Sequence, residues 1–538
     1  MSPSVSRRTF VTASLATGAA VAVGSEASPA LAAPPAEVRS GPRIAVIGSG
    51  YGGAVAARSL AEAGRRVDLI EMGADWEAMS SSSGPVFPGM RSPNERSMWF
   101  KNRTDMPFSY LGGLDIINRP IRRAAGVLDI ETFAGIKVYL GRGVGGGSLV
   151  NGGMAVTPSR SFFEKVLPSV DAAEMYDTYF PRARQQLLVT EPPLDIVMNS
   201  PWYQFARVSA LQARKVGYQH QLVPNVYDFD YLRKETFKQV PRSALVGEVM
   251  FGNNYGKRSL PKSILRTALA TNRVNLIPMT EVTQLSQRPD GTFELSLRTI
   301  DFWGKETERR TAVYDRVVLA AGSVGTSRLL LKAKRYGTVK GLPDAIGQYW
   351  GPNGNVMLAR RMWGYPTGMH QSTIPVLGVS NWDDSERSVF AEIAPFPTGI
   401  ELHTGVYLAI TNNPNTGKFT WDDQRRNVHL DWGPSHAKPG VDAVRAFFDP
   451  INRAHSGTAY RADVFERRQQ FADYFTYHPL GGAVLGEATD LSGEVKGVPG
   501  LFVMDGSLIP AKIGVNPFVT ITALAERNMD RLLAGHRF

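Results

Sequence analysis

The sequence predicts an α/β fold: a Rossmann-like, dinucleotide-binding domain of parallel sheet and helices, interleaved with a substrate domain built on a mainly antiparallel sheet. Three observations predict it. Near the N-terminus a short apolar run, Ile44 to Ile47, meets Gly48-x-Gly50-x-x-Gly53 and then a helical stretch, Ala54 to Ala63. A second strand-then-helix pattern, Arg316 to Gly322 followed by Thr326 to Lys334, returns after a long excursion. Between Trp350 and Gly417, short apolar runs (Val356 to Leu358, Val389 to Ile393, Val406 to Ile410) alternate with Gly, Pro and Asn turns, as in antiparallel sheet.

The glycine fingerprint gives the first element its chemistry. Gly48 permits the tight turn, Gly50 lets the backbone approach a pyrophosphate, and Gly53 lets the helix pack closely on the strand. The diphosphate is expected on the helix N-terminus, where unpaired N–H groups and the positive dipole end favour an anion. The chain resumes after Gly64 as a strand, Val67 to Glu71. That places Glu71 at the strand end, where its carboxylate accepts hydrogen bonds from a ribose, at the spacing of about 20 residues that the fingerprint requires.

Before this element lies a segment excluded from the fold. Ser6-Arg-Arg-Thr-Phe10 carries paired arginines, Val11 to Val23 is mildly apolar, and Ala30-Leu-Ala32 supplies the small residues of a cleavage site. Residues 1–32 are therefore expected to be a Tat signal, and the product to be secreted. Its removal leaves 58 basic against 48 acidic residues, a net charge of +10 with no dominant basic run. A generic solvated surface is the expected reading, and no nucleic-acid partner is expected. The 538 residues include no cysteine, which excludes disulfides, thiolate chemistry, cysteinyl-flavin links and cysteine-ligated metals. No metal site is expected. No later run is long and apolar enough to span a bilayer.

Residues 75–135, rich in Ser, Pro, Gly, Arg and Asn, read as a long loop. Within it the segment at about 75–100 is either a lid over a pocket or simple aromatic packing, with Phe87, Met90, Met98, Trp99 and Phe100 as its apolar contacts. Gly141 to Met154 follows, with seven glycines around Asn151, backbone of the kind that lies against something flat or anionic. Residues 160–250 mix helical periodicity (Phe162 to Leu167, Ala172 to Leu188) with aromatic-bearing loops. Leu260 to Leu269 reads as a helix, Val274 to Pro278 and Val282 to Leu285 as strands, and Pro289-Asp-Gly291 as a hairpin turn into Phe293 to Arg298. Residues 440–475 look helical, and the chain ends in strand Leu501 to Asp505, a loop, and helix Thr520 to Leu533. The resulting division gives 40–158, 256–345 and 491–538 to the dinucleotide domain, and 159–255 and 346–490 to the substrate domain.

Taken together, the fingerprint, the Gly141–Met154 loop, Tyr477-His-Pro-Leu-Gly-Gly482 and the run from Asp505 to Phe518 resemble the glucose-methanol-choline oxidoreductases. Ser388 to Pro395 and Trp350-Gly-Pro-Asn-Gly354 resemble its bacterial cholesterol oxidase branch, which binds FAD non-covalently. The resemblance runs from about Arg43 to the C-terminus. It implies cofactor contacts from Gly48, Gly50, Tyr51, Gly52, Gly53, Glu71, Gly145, Asn151, Gly152, Met154, Val282, Gly322, His478, Asp505, Gly506, Asn516, Pro517 and Phe518. Pro517 and Phe518 open the final helix and offer backbone N–H groups to the flavin's pyrimidine edge, by the same dipole logic as the diphosphate site.

Oxidising a secondary alcohol requires a polar group that holds the hydroxyl, and a donor that stabilises charge on the reduced cofactor. His478 fits the first role and Asn516 the second, an amide that donates without ionising. Glu392 lies in an apolar run, Val389 to Ala394, where a charge is expensive unless used or paired. In cholesterol oxidases this position is the base that moves a proton from steroid C4 to C6. The pair His478–Asn516, rather than two histidines, agrees with that branch. Ala483 stands where some relatives carry cysteine. The expected partners are cholesterol and related 3β-hydroxysteroids, O2, and transiently a membrane surface, with the protein itself a monomer. Two other readings stay open: another alcohol oxidase or dye-linked dehydrogenase of the family acting on a different bulky alcohol, and a secreted sterol-binding protein whose flavin is structural.

Overall fold

In the computed structural model the described residues are 41–80, 84–108, 110–111, 114–394 and 402–538. The expected signal segment, residues 1–32, lies outside them, as do Ser81 to Ser83 of the expected lid and Pro395 of the Ser388–Pro395 motif.

Five short, buried strands form a wholly parallel sheet in the order Leu501–Val503, Arg316–Leu319, Ile44–Ile47, Val67–Ile70, Val274–Ile277. These strands are near-continuous apolar runs because helices cover the sheet. Ile47, Ile70, Leu319 and Val503 end at one edge, so the segments that follow them converge there: Gly48–Gly53, Glu71–Gly73, Ala320–Gly322 and Met504–Gly506. Ligands of open α/β sheets bind outside the carboxyl ends of the strands.

The second sheet has seven strands. Six run in the order Thr458–Arg461, Asn355–Met362, Thr404–Thr411, Val389–Ile393, Leu377–Ser380, Gln219–Leu222, and Phe471–Ala472 also pairs with Asn355–Met362. All its pairings are antiparallel. Glu392 sits mid-sheet, opposite Leu408 on one side and Gly378 on the other. The chain thus leaves the parallel sheet after residue 70, returns to it at residue 274, leaves again after residue 319 and returns at residue 501. A meander of Thr280–Gln287, Phe293–Ile300 and Glu306–Tyr314 bridges the third and fourth parallel strands in sequence.

Several elements depart from the expectation. The fingerprint helix is Tyr51–Glu62, starting inside the glycine motif because Gly50 is already its N-cap. The stretch 440–475 is helical only to Ala454: the helix Pro434–Ala454 gives way to strands Thr458–Arg461 and Phe471–Ala472. Residues 75–135 hold a short helix, Trp76–Ser80, and a paired strand, Leu128–Thr132, which continues by antiparallel pairing into Lys137–Gly141. Within that stretch Phe87, Met90 and Met98 are buried in one apolar cluster with Trp76, Phe108, Met250 and Phe251. The side-chain oxygen of Asn254 ties the cluster down by accepting the Val86 and Phe87 N–H groups at 2.8 and 2.9 Å.

Candidate active site

The four converging strand ends open onto a cavity of about 380 Å³ that extends to the antiparallel sheet. Its walls divide by chemistry. One end is backbone: Gly48 to Gly52, Gly146 to Gly153 and Ala320 to Gly322. The other is apolar, formed by Met90, Phe108, Val249, Met250, Ile393 and Leu408.

At the backbone end, glycine is required for two different reasons. A Cβ on Gly48 would lie 2.3 Å from the Ala320 carbonyl oxygen, one on Gly52 1.6 Å from that of Met504, and one on Gly53 2.0 Å from that of Gly48. These glycines let helix, strand and loop close on one another. Gly50 differs: a Cβ there would meet no protein atom within 4 Å, although it caps the helix Tyr51–Glu62. The space beside it is a cradle at a helix N-terminus, suited to a diphosphate. Glu71 lies at the end of its strand as expected, but its carboxylate also organises the turn. One oxygen accepts from Ser49 N–H at 3.1 Å and Ser49 Oγ at 2.7 Å, the other from Gly73 N–H at 2.9 Å. A carboxylate has about four lone-pair sites, so it retains capacity for a ribose hydroxyl.

Asp505 has a supporting role instead of an open one. It accepts from Gly322 N–H at 2.9 Å, Thr326 Oγ1 at 2.5 Å, Ser507 N–H at 2.9 Å and the Ser507 hydroxyl. It therefore binds three segments of the cavity wall together. The ring of Tyr51 stacks on Phe518 with centroids 5.0 Å apart, and its hydroxyl accepts from Asn151 Nδ2 at 2.6 Å. That contact joins the fingerprint helix, the glycine-rich loop and the final helix, Phe518–Ala534. Gly152, Met154, Val282, Gly506 and Pro517 also line the cavity. Gly145 and Gly53 do not: Gly145 packs on Pro261, and Gly146 and Gly147 take the wall position.

Glu392, His478 and Asn516, from three distant parts of the chain, all face the cavity. Asn516 Nδ2 donates to Glu392 Oε1 at 3.2 Å, while Glu392 Oε2 and Asn516 Oδ1 are buried without a protein partner. Burial raises the Glu392 carboxyl to about 8, with the Asn516 bond opposing the rise. His478 is enclosed by protein while keeping part of its ring on the cavity, and burial lowers it to about 3, so it is neutral in the ordinary pH range. Its Nδ1 lies 3.2 Å from the side-chain amide of Asn355, and its backbone N–H donates to Thr476 Oγ1 at 3.0 Å. Asn355 and Thr476 were not foreseen. Asn355 falls one residue beyond Trp350–Gly354, and nothing in its local pattern connects it with a histidine 123 positions later.

The residues present fit a flavin dinucleotide. The backbone cradle at Gly50 and the orphaned polar atoms of Asn151, Glu392 and Asn516 lie along one continuous cavity. Comparison with known proteins agrees. Residues 43–139 match the FAD dependent oxidoreductase family, residues 353–466 the C-terminal GMC oxidoreductase family, and residues 415–525 the GMC oxidoreductase family. A cholesterol oxidase of Acinetobacter baumannii is 22% identical, over 91% of this chain and 94% of its own length. One from Mycobacterium tuberculosis is 24% identical, over 90% of each chain. Among solved structures, a pyridoxine 4-oxidase from Mesorbium loti superposes with a TM-score of 0.57 at 15% identity, covering 91% of this chain and 99% of its own. A fungal aryl-alcohol oxidase gives 0.58 at 14% identity, covering 93% and 100%. The parallel sheet with its glycine cradle, the antiparallel sheet with its buried carboxyl, and these matches along the chain lead to one assignment: the protein belongs to the GMC family of FAD-dependent oxidoreductases.

Proposed function

We propose that the protein is a secreted cholesterol (3β-hydroxysteroid) oxidase that also isomerises its product. On this reading it converts the 3β-hydroxyl to a ketone, reduces O2 to H2O2, and moves the Δ5 double bond to Δ4. The observation that carries the reading is Glu392, a carboxyl poised near 8 in an apolar wall and facing the same cavity as His478 and Asn516. A generic alcohol oxidation has no use for a third ionisable group buried beside the hydroxyl-binding pair.

FAD, when bound, supplies the acceptor for the two electrons of the alcohol and hands them on to O2. The chain's own residues do the rest. Gly50 and the Tyr51–Glu62 helix hold the diphosphate, and Glu71 the ribose. His478, fixed through Nδ1 by Asn355, presents its other ring nitrogen to the substrate hydroxyl and orients it. Its low proton affinity favours orientation over storage of a proton. The orphaned Oδ1 of Asn516 offers that hydroxyl an acceptor. Glu392, once ionised, takes the C4 proton of the Δ5-ketone and returns it at C6, ending as it began. The apolar wall excludes water that would intercept that proton. Non-covalent cofactor binding is supported by the absence of cysteine from the chain and by the single histidine on the cavity wall, His478, whose Nδ1 is engaged by Asn355.

The test is one aerobic assay with detergent-dispersed cholesterol, following peroxide and conjugated-enone absorbance together. Both signals are expected to rise in parallel. Peroxide without enone would remove the isomerase, and neither signal from a yellow protein would remove the steroid.

A further inference from the structure

Lys257 is the buried cation that the reaction does not use. It is 2% exposed, and no carboxylate among the described residues pairs with it. Burial pushes its pKa well below the ordinary lysine value, and the neighbouring Lys262 charge adds to this. An unpaired buried amine costs several kcal/mol on the order of the usual desolvation penalty, so its position requires a reason.

Its hydrogen bonds supply one. The ammonium group donates to the Leu149 carbonyl at 3.2 Å and to the Asn151 carbonyl. Both belong to the glycine-rich loop whose Val150, Asn151 and Gly152 line the cavity. In a planar trans peptide the C=O and N–H point in opposite directions, and the described chain has no cis peptide. With the Asn151 carbonyl turned to Lys257, the Gly152 N–H on the same peptide must point away from it. That N–H meets no protein acceptor among the described residues. The Gly152 carbonyl is held in turn, accepting from Asn225 Nδ2 at 3.1 Å, so the peptide cannot turn over freely. Positive charge on the carbonyl side of a peptide also draws electron density from its N–H and makes it a stronger donor.

We infer that Lys257 is a positioning residue of the cofactor site: it fixes the Leu149–Gly152 backbone so that the Gly152 N–H is presented to the flavin, and it strengthens that donor. The inference rests on the flavin site described above. Removing the amine is expected to loosen FAD and to disfavour its reduced form, in which negative charge on the ring increases.

The experiment uses apoprotein of the full chain, reconstituted with FAD, as wild type, Lys257→Met and Lys257→Gln. Lys257→Met is expected to raise the FAD dissociation constant at least tenfold. It should also shift the reduction equilibrium at least tenfold toward oxidised flavin, about 30 mV lower for a two-electron couple. Lys257→Gln keeps a donor without the charge and is expected to fall between, and it carries both readings if Lys257→Met does not fold. An unchanged midpoint potential in both variants would overturn the inference, because a merely structural lysine would alter stability and leave the potential alone. A wild-type protein that takes up no FAD would overturn the flavin site and this inference with it.

Discussion

The Asn516 side-chain amide donates to Glu392 Oε1 at 3.2 Å, linking the loop before the final helix to the middle of the antiparallel sheet. It is the only side-chain bond that opposes the effect of burial on the Glu392 carboxyl. The two assigned activities are therefore coupled through one hydrogen bond. Asn516→Leu removes a group that touches the substrate hydroxyl and also strips Glu392 of its partner. Peroxide formation should fall about 100-fold, in the range typical for a lost preorganised donor. The pH midpoint of isomerisation, read by feeding the Δ5-ketone directly, should move upward from that of the wild type. Full oxidation with an unmoved midpoint would leave Asn516 a turn residue before Pro517.

Glu392→Gln separates the two half-reactions. The amide keeps an oxygen for the Asn516 donor but cannot take a proton. Isomerisation should fall by about 100-fold or more, while peroxide formation stays within severalfold of wild type. In the wild type, isomerisation should rise with pH through about 8, the range in which the buried carboxyl ionises. Stability has the matching sign. The carboxyl is raised from 4.5 to about 8 in the folded chain, so the fold holds the extra proton between those limits. Its contribution is complete below about pH 4.5 and is lost as the pH rises through 8. Unfolding midpoints of apoprotein should therefore decline less for Glu392→Gln than for wild type between pH 5 and 9.

His478 behaves in the opposite sense. Burial lowers it from 6.5 to about 3, so its contribution to stability is present above pH 6.5 and is lost as the pH falls toward 3. Because it stays neutral through the working range, kcat/KM for oxidation should show no acid limb near pH 6.5. His478→Gln should lower that kcat/KM about 100-fold without changing the shape of the profile between pH 5 and 8. A limb near 6.5 that disappears in the variant would show that the imidazole titrates as a base after all.

Which parts of this site could be read from sequence follows from how local their causes are. The fingerprint, Glu71 and the Arg316–Leu319 return are legible because strand, glycine turn and helix are set by neighbours within a few residues. Glu392 is legible because a carboxylate in an apolar run conflicts with its surroundings, and such conflicts mark function. The helix expected through residue 475 fails after Ala454 because the antiparallel sheet recruits Thr458–Arg461 and Phe471–Ala472 as partners of Asn355–Met362, a choice made about 100 residues away in sequence. Asn355 and Lys257 stay hidden for the same reason: an asparagine past a glycine turn and a lone lysine acquire meaning only when His478 and the Asn151 carbonyl arrive beside them. Gly145 shows the limit of a motif by itself. In a run of three glycines, only the packing of Pro261 decides that Gly146 and Gly147, and not Gly145, face the cavity.

Two alanine substitutions within one motif distinguish a glycine kept for the cofactor from one kept for the fold. Gly50 has φ −67° and ψ −169°, an extended conformation open to any residue, and its Cβ would touch no protein atom within 4 Å. Gly50→Ala should thus fold with the unfolding midpoint of wild-type apoprotein. Its methyl group would occupy the cradle where the diphosphate meets the helix N-terminus, so FAD affinity should fall at least tenfold, about 1.4 kcal/mol. Gly52→Ala would place its Cβ 1.6 Å from the Met504 carbonyl oxygen, which is backbone and holds the strand Leu501–Val503 against its neighbour. That substitution should destabilise the apoprotein itself, by a few kcal/mol on the scale of a severe core overpacking. Measuring apoprotein unfolding and FAD titration on both variants gives opposite patterns if the cradle is where the geometry puts it. A Gly50→Ala protein that binds FAD as tightly as wild type would move the diphosphate elsewhere in the cavity.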